Sequence, residues 1–376
     1  MQKNHLFSVV IVSIVSLFLF WSPWLMHANS FWGINFGSHG METIVQNFDG
    51  LNFLVVAKSL YDPTAISTIN EQFKTGNSPI YFAAHYPAFA VVIRSFELVL
   101  PAPYALLSTI MLSNFVLAVG LYYFFTTVLK NQNLALWASM VALFLPARML
   151  SVRAVGSNEP IFMFFVLVSL ALSVRNKHWL ASLMGCLAIL TRSPGILLFA
   201  AYALSALVNK RFRDYLPYLL MPMTLLALFA FYGFRYGDFL AYFNSGDNLH
   251  LFFPPFQIFS NSASWVSGMW REDILYLYLF YGIGLGLYFK SKTKNLAISM
   301  FGLVYGVVIL LVSHRDLARY ALPLSPVALL GYAPFFKERW ARIVLAILVI
   351  PTMLLGWQFV VANVQPISDW SPLLIK

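Results

Sequence analysis

Residues 104–129 read YALLSTIMLSNFVLAVGLYYFFTTVL, a stretch without a single Asp, Glu, Lys or Arg. A helix rises 1.5 Å per residue, so this run exceeds the roughly 20 residues needed to cross a ~30 Å hydrocarbon layer. Comparable apolar runs recur at 6–26, 133–150, 158–174, 178–191, 194–209, 214–234, 273–289, 295–313, 318–335 and 341–361. The expected fold is an all-α polytopic membrane protein with about eleven transmembrane helices, residues 1–376 forming a single integral membrane domain. Composition agrees: 60% of the chain is hydrophobic, 10% is charged, and the mean hydropathy is +0.74. A soluble domain is about a quarter charged, which excludes a soluble enzyme, and the high hydrophobicity excludes a disordered chain. The short alternating strands of a β-barrel are not the pattern either.

Charge sets the expected orientation. With the N-terminus in the cytoplasm, the inner connections hold Lys3, Lys130, Arg175, Lys177, Lys210, Arg211, Arg213, Lys290, Lys292, Lys294, Lys337, Arg339 and Arg342. Only Asp214 and Glu338 among the acids fall on that side, as the positive-inside rule requires. Residues 86–101 are short and carry Arg94 and Glu97; a full crossing there inverts every later loop. They are read as a helix lying at the interface or dipping into it. Residues 1–30 are read as a retained helix, because Trp21, Pro23, Trp24 and Met26 make a poor signal-peptide cleavage site. Two long outer loops result, 27–103, with interfacial helices, and 235–272. Loops of such length are commonly functional. Neither phosphate-binding glycine motif is present, and Gly282, Gly284 and Gly286 suit helix packing. The lone Cys186 excludes an internal disulfide and a zinc cluster. The net charge of +10 is explained by the inner loops rather than by nucleic acid, which is not an expected partner.

Five outer elements carry candidate chemistry. In Asn47-Phe48-Asp49-Gly50-Leu51-Asn52-Phe53-Leu54, the residues Leu51, Leu54 and Val55 form an apolar stripe, with Asp49 and Asn52 on the other side of a short surface helix. Asp49 is a candidate carboxylate or a simple complement to the helix N-terminus, with Asn47 as cap. His85, in His85-Tyr86-Pro87, suits phosphate binding, proton transfer or an ordinary polar contact. In 148–160, Ser157 or Asn158 caps a helix and Glu159 lies in its first turn, but capping does not explain Arg148 and Arg153 beside a membrane-embedded turn. Arg192, in Thr191-Arg192-Ser193-Pro194-Gly195, is a functional candidate or a snorkelling side chain. Finally, Arg315 and Arg319 in Ser313-His314-Arg315-Asp316-Leu317-Ala318-Arg319-Tyr320 are four apart. On a helix they share a face and make a clamp for a phosphate, unless Asp316 pairs with one of them. Asp247 adds a carboxylate from the second outer loop.

In this order, the elements resemble the GT-C superfamily of membrane glycosyltransferases, and most closely the GPI mannosyltransferase 2 (PIG-V-like) family and its bacterial relatives. The likeness spans roughly 40–320. It rests on Phe48-Asp49-Gly50 before a hydrophobic helix, His85-Tyr86-Pro87, Pro146 leading into Ser157-Asn158-Glu159, Arg192-Ser193-Pro194-Gly195, and the Arg-rich turn at 313–320. Phe48 stands where the family usually has tryptophan, and Asn158 is inserted in the Ser-Glu step. The resemblance implies an inverting, mannosyltransferase-like enzyme. Its donor is a polyprenyl-phosphate sugar and its acceptor a glycan, lipid or protein hydroxyl. Its active site lies on the outer face of a multi-pass protein, in the cell membrane if the chain is bacterial. Asp49 becomes the general base, Arg192, Arg315, Arg319 and His314 the donor-phosphate ligands, and Asn52, His85, Arg153, Glu159 and Asp247 the other substrate contacts. No cofactor is required and no metal ligands are assigned, although Mg or Mn is compatible with the outer acids and histidines. The rival classes are a transporter or flippase of lipid-linked sugars and an O-antigen polymerase- or ligase-like protein.

Overall fold

The computed structural model describes residues 3–73, 76–247, 250–260, 262–365, 367 and 369–374. The chain is mostly helical, and four of its helices are long and apolar enough to cross a membrane: Asn4–Leu25, Ala102–Leu129, Phe212–Tyr236 and Arg339–Ala362. These place it among integral membrane proteins. Shorter apolar helices follow at Glu159–Val174, His178–Thr191, Ser193–Asn209 and Leu296–Leu311. A 16-residue helix is only about 24 Å long, less than a full hydrocarbon layer. Among the described residues, then, four full-length apolar helices stand where about eleven crossings were expected. Ala102–Leu129 is the organising helix, packing against Lys3–Leu25, Pro87–Glu97, Gln132–Ala142 and Glu159–Val174.

Proline breaks two of the expected helices. The run 133–150 divides into Gln132–Ala142 and the short helix Arg148–Arg153, with Pro146 between them. The run 318–335 divides into Leu317–Tyr320, a tight turn at Leu322–Leu324, Ser325–Tyr332 and a second tight turn at Ala333–Lys337, with Pro323, Pro326 and Pro334 at the joints. A proline ring removes a backbone donor and crowds the preceding turn, so the apolar pattern survives while the helix does not. Conversely, Gly268–Lys290 starts earlier than 273, capped by Ser267, whose Oγ accepts from the Trp270 amide at 3.1 Å.

The segment between Lys3–Leu25 and Ala102–Leu129 contains Gly50–Ser59, Pro63–Phe73 and Pro87–Glu97. It also holds a two-residue antiparallel ribbon, Ser30–Phe31 with Ile34–Asn35, that the sequence did not announce. Pro87–Glu97, about 16 Å long, is too short to cross, in line with its reading as a dipping helix. Gly50–Ser59 departs from the surface helix that was expected: every residue except Lys58 is buried, beneath Pro87–Glu97 and against Ala102–Leu129. Its apolar residues encircle it, so both faces need cover. Two glycines let it seat. A Cβ on Gly50 lies 2.5 Å from the Val45 carbonyl and 3.4 Å from Cα of Gly156, so the Asp49 turn presses directly on the turn before Glu159.

The same segment is stitched to the end of the last long helix. Asn47 bridges Val364, Gln365 donates its amide to the Gln46 carbonyl at 2.9 Å, and Nδ2 of Asn47 donates to the Val360 carbonyl at 2.8 Å.

Helix direction sorts the charges. Glu159 opens Glu159–Val174 and Arg175 closes it; His178 follows Lys177, and Arg192 closes His178–Thr191. Lys210 closes Ile196–Asn209, which starts next to Arg192. The basic connections thus gather at the ends of the helices opposite to Asp49, Glu159 and Arg192.

Candidate functional site

Asp49 stands at the N-cap position of Gly50–Ser59 but makes no capping hydrogen bond. Asn47 does not cap either, since its amide donates to the Thr43 and Val360 carbonyls. The Asp49 carboxylate turns instead to Arg319, whose Nη2 donates to Oδ2 at 2.5 Å. The Arg319 guanidinium lies over the Phe48 ring, 4.7 Å from its centroid, and is only 12% exposed. From its other edge, Nε donates to Oε1 of Glu159, and Nη2 reaches Oε2 of Glu159 at 3.2 Å.

Glu159 is the hub of this arrangement. Its side chain is 1% exposed and accepts from Ser157 Oγ, from Arg319 and from Nη1 of Arg192. The same Arg192 nitrogen lies 2.9 Å from Oδ1 of Asn158, whose Nδ2 donates to the Thr191 carbonyl at 2.8 Å. Neither Ser157 nor Asn158 supplies the side-chain cap that was expected of them. Arg192 is committed to Glu159 and Asn158 rather than snorkelling.

These groups face a polar cavity of about 230 Å³ lined by Asp49, His85, Arg192, Asp247, His314 and Arg319, with Phe53, Tyr81, Ala84, Asn158, Ser193, Tyr242 and Tyr320. Tyr81, Asn158 and Tyr242 were not singled out as ligands in the sequence. The signal for Tyr81 and Tyr242 is the aromatic richness of the two long loops, and Asn158 reads as a helix cap. Tyr242 donates to Ser193 Oγ at 2.9 Å. His85 is 4% exposed, edge-on to Phe53 at 5.4 Å, and its Nδ1 is buried with no hydrogen-bond partner. An unsatisfied buried nitrogen is costly, which makes this atom a ready contact for a bound molecule. Burial lowers the His85 pKa despite the nearby carboxylates of Asp49 and Asp247. His314 stacks on His250 at 4.9 Å, and burial together with that neighbour lowers its pKa too. For Asp49, burial pushes the carboxyl up, but the Arg319 guanidinium beside it, helped by Arg192, outweighs burial and holds it below the usual carboxylate range.

Two expected site residues lie elsewhere, and one lies behind the wall. Arg153 is fully buried away from the cavity. It donates to the Leu143 carbonyl at 2.9 Å, the Ser13 carbonyl at 3.1 Å, Oδ1 of Asn114 at 2.8 Å and Oγ of Ser16 at 2.5 Å. It ties Arg148–Arg153 to Lys3–Leu25 and Ala102–Leu129, a structural duty. Arg315 is exposed and precedes the one-turn helix Leu317–Tyr320, so it does not share a face with Arg319. Asp316 pairs with neither of them: it binds Arg148 at 2.7 Å, and Arg148 also covers the Phe359 ring at 3.6 Å. Glu159 does not line the cavity and holds the arginines from behind. Asn52, buried, borders the cavity through Tyr81. A larger cavity of about 670 Å³ beside Lys58, Arg94 and Glu97 lacks such an arrangement, because Arg94 donates to the Ala57 and Lys58 carbonyls. Among the described residues no group of three or more His, Cys, Asp or Glu comes together as a metal site.

Fold and cavity define an integral membrane protein with a charged pocket at the helix ends opposite its basic connections. No protein-family model matches the chain, and a search of curated proteins finds no match.

Proposed function

We propose that this chain is an inverting, GT-C-like glycosyltransferase, moving a sugar from a polyprenyl-phosphate donor to an acceptor hydroxyl at the non-cytoplasmic face. The observation that carries the reading is the adjacency of a carboxylate, Asp49, and a guanidinium, Arg319, in one polar cavity. An acceptor hydroxyl attacks the anomeric carbon as Asp49 takes its proton, and the sugar–phosphate bond breaks. The lipid phosphate departs as a stable anion, so no general acid is needed. Arg319 and Arg192 supply the positive charge that receives it. One carboxylate with direct displacement inverts the anomeric centre, unlike the paired carboxylates of a retaining glycosidase. The acceptor is a glycan, lipid or protein hydroxyl, and the reaction so drawn calls on no cofactor.

The orientation belongs to this reading: the basic loops lie in the cytoplasm and the pocket faces outward. The test is consumption of polyprenyl-phosphate mannose or glucose by purified protein in detergent, with and without Mg or Mn. With no membrane and no gradient, a transporter or flippase produces no free lipid phosphate. A glycosyltransferase releases one equivalent per sugar transferred.

A further inference from the structure

Glu159 has an unusual setting for a carboxylate read as a substrate contact. It is 1% exposed, it is absent from the cavity lining, and its oxygens accept from three side chains: Ser157, Arg192 and Arg319. Those two arginines come from distant parts of the chain. Arg192 leaves the end of His178–Thr191 in an extended conformation, and Arg319 sits in a one-turn helix followed by a proline-containing tight turn. Neither has a long helix to hold its guanidinium in place. An arginine side chain has many rotamers to lose, and a receptor built from two such side chains is weak unless something fixes both.

We propose that Glu159 is a positioning residue that clamps Arg192 and Arg319 into one anion receptor for the donor phosphate. The inference rests on the donor reading above. Glu159 takes Nε and Nη2 of Arg319 and Nη1 of Arg192, which leaves other guanidinium nitrogens of both residues for an anion in the cavity. Ser157 fixes the carboxylate in turn, and the Gly50–Gly156 contact fixes the turn that carries Ser157.

Charge and geometry make opposite forecasts, which is what allows a test. If Glu159 only offsets positive charge, removing that charge makes the pocket more cationic and phosphate binds more tightly. If it positions the arginines, its loss weakens binding in spite of the added positive charge. The probe is farnesyl phosphate, and its Kd is measured by calorimetry on the full chain in detergent. Glu159→Gln is expected to weaken binding by ~10-fold or more, the worth of a charge-assisted hydrogen bond. Glu159→Asp keeps the charge but shortens the reach; it is expected to weaken binding as well, and it decides the matter if the Gln variant does not fold. Asp49→Asn raises the pocket charge by the same amount and loosens only Arg319, leaving both arginines on Glu159; it is expected to weaken probe binding less than Glu159→Gln does. Unchanged or tighter binding in the folded Glu159 variants overturns the positioning role. Wild-type protein that binds no farnesyl phosphate overturns the donor reading itself.

Discussion

Asp49 and Arg319, 270 positions apart in the chain, meet at 2.5 Å over the Phe48 ring, and the pair lies at the rim of the polar cavity. A carboxylate that merely completed a helix would point its oxygens at backbone amides; this one does not. The pairing yields tests of each partner in turn.

Asp49→Asn is nearly isosteric and removes proton acceptance while leaving a hydrogen-bonding oxygen. Sugar transfer by the folded variant is expected to fall by about 10²–10⁴, the usual worth of a general base. Transfer within a few-fold of wild type moves the base elsewhere, with Asp247 the remaining carboxylate on the cavity.

Arg319→Lys keeps one positive charge but replaces a planar fork by a point charge. A lysine cannot serve Asp49 and both oxygens of Glu159 as the guanidinium does. The apparent KM for the polyprenyl-phosphate sugar is expected to rise ~10-fold or more, as for loss of a charge-assisted contact. Kinetics equal to wild type remove Arg319 from the donor site.

The pH dependence separates Asp49 from the histidines. Burial raises the Asp49 pKa, the Arg319 and Arg192 charges lower it by more, and the net direction is down. A carboxyl depressed in the folded state contributes stability above its unfolded pKa, about 3.9, and loses it as pH falls through the lower folded value. Both the ion pair and the base form of Asp49 therefore persist through neutral pH. The acid limb of kcat/KM is expected below about pH 4 or to merge with acid unfolding. An acid limb above about pH 4 but below the ordinary imidazole value of about 6.5 assigns the base to His85 or His314 instead, since burial lowers both.

Arg153 and Arg315 should behave as opposites of Arg319. Arg153→Ala leaves buried acceptors unpaired, so it is expected to cost ~2 kcal/mol or more of stability. The kcat of the folded fraction should be intact. Arg315→Ala, at an exposed position, is expected to change stability by no more than about 0.5 kcal/mol and to leave transfer unchanged. Thermal unfolding paired with transfer assays distinguishes the two. Loss of transfer in folded Arg315→Ala returns that residue to the site.

The membrane class, the long apolar helices and the short helix after Pro87 were legible because hydropathy and proline act locally. So was the list of charged outer residues: Asp49, His85, Arg192, Asp247, His314 and Arg319 do converge. What the sequence did not contain was partner choice. The 315/319 spacing implied a shared face, but the helix there is a single turn, and Arg319 meets Arg192 across the fold on Glu159 instead. Arg153 looked functional by the cost of a buried charge, yet four neutral acceptors meet that cost. The stripe at Leu51 and Leu54 suggested a surface helix, because nothing in ten residues reports the cover that arrives from Pro87–Glu97.

The stitch between Gln46-Asn47 and Val360, Val364 and Gln365 has a consequence for biogenesis. During translation the segment bearing Asp49 emerges long before its backbone partners, with Asn47 and Val360 lying 313 positions apart. Arg319, too, follows Asp49 by most of the chain. A nascent chain arrested before the Arg339–Ala362 helix therefore holds Gln46 and Asn47 without their backbone partners. The pocket needs Arg319, and the segment that carries Asp49 needs residues 360–365, so neither is complete in a chain that stops before them.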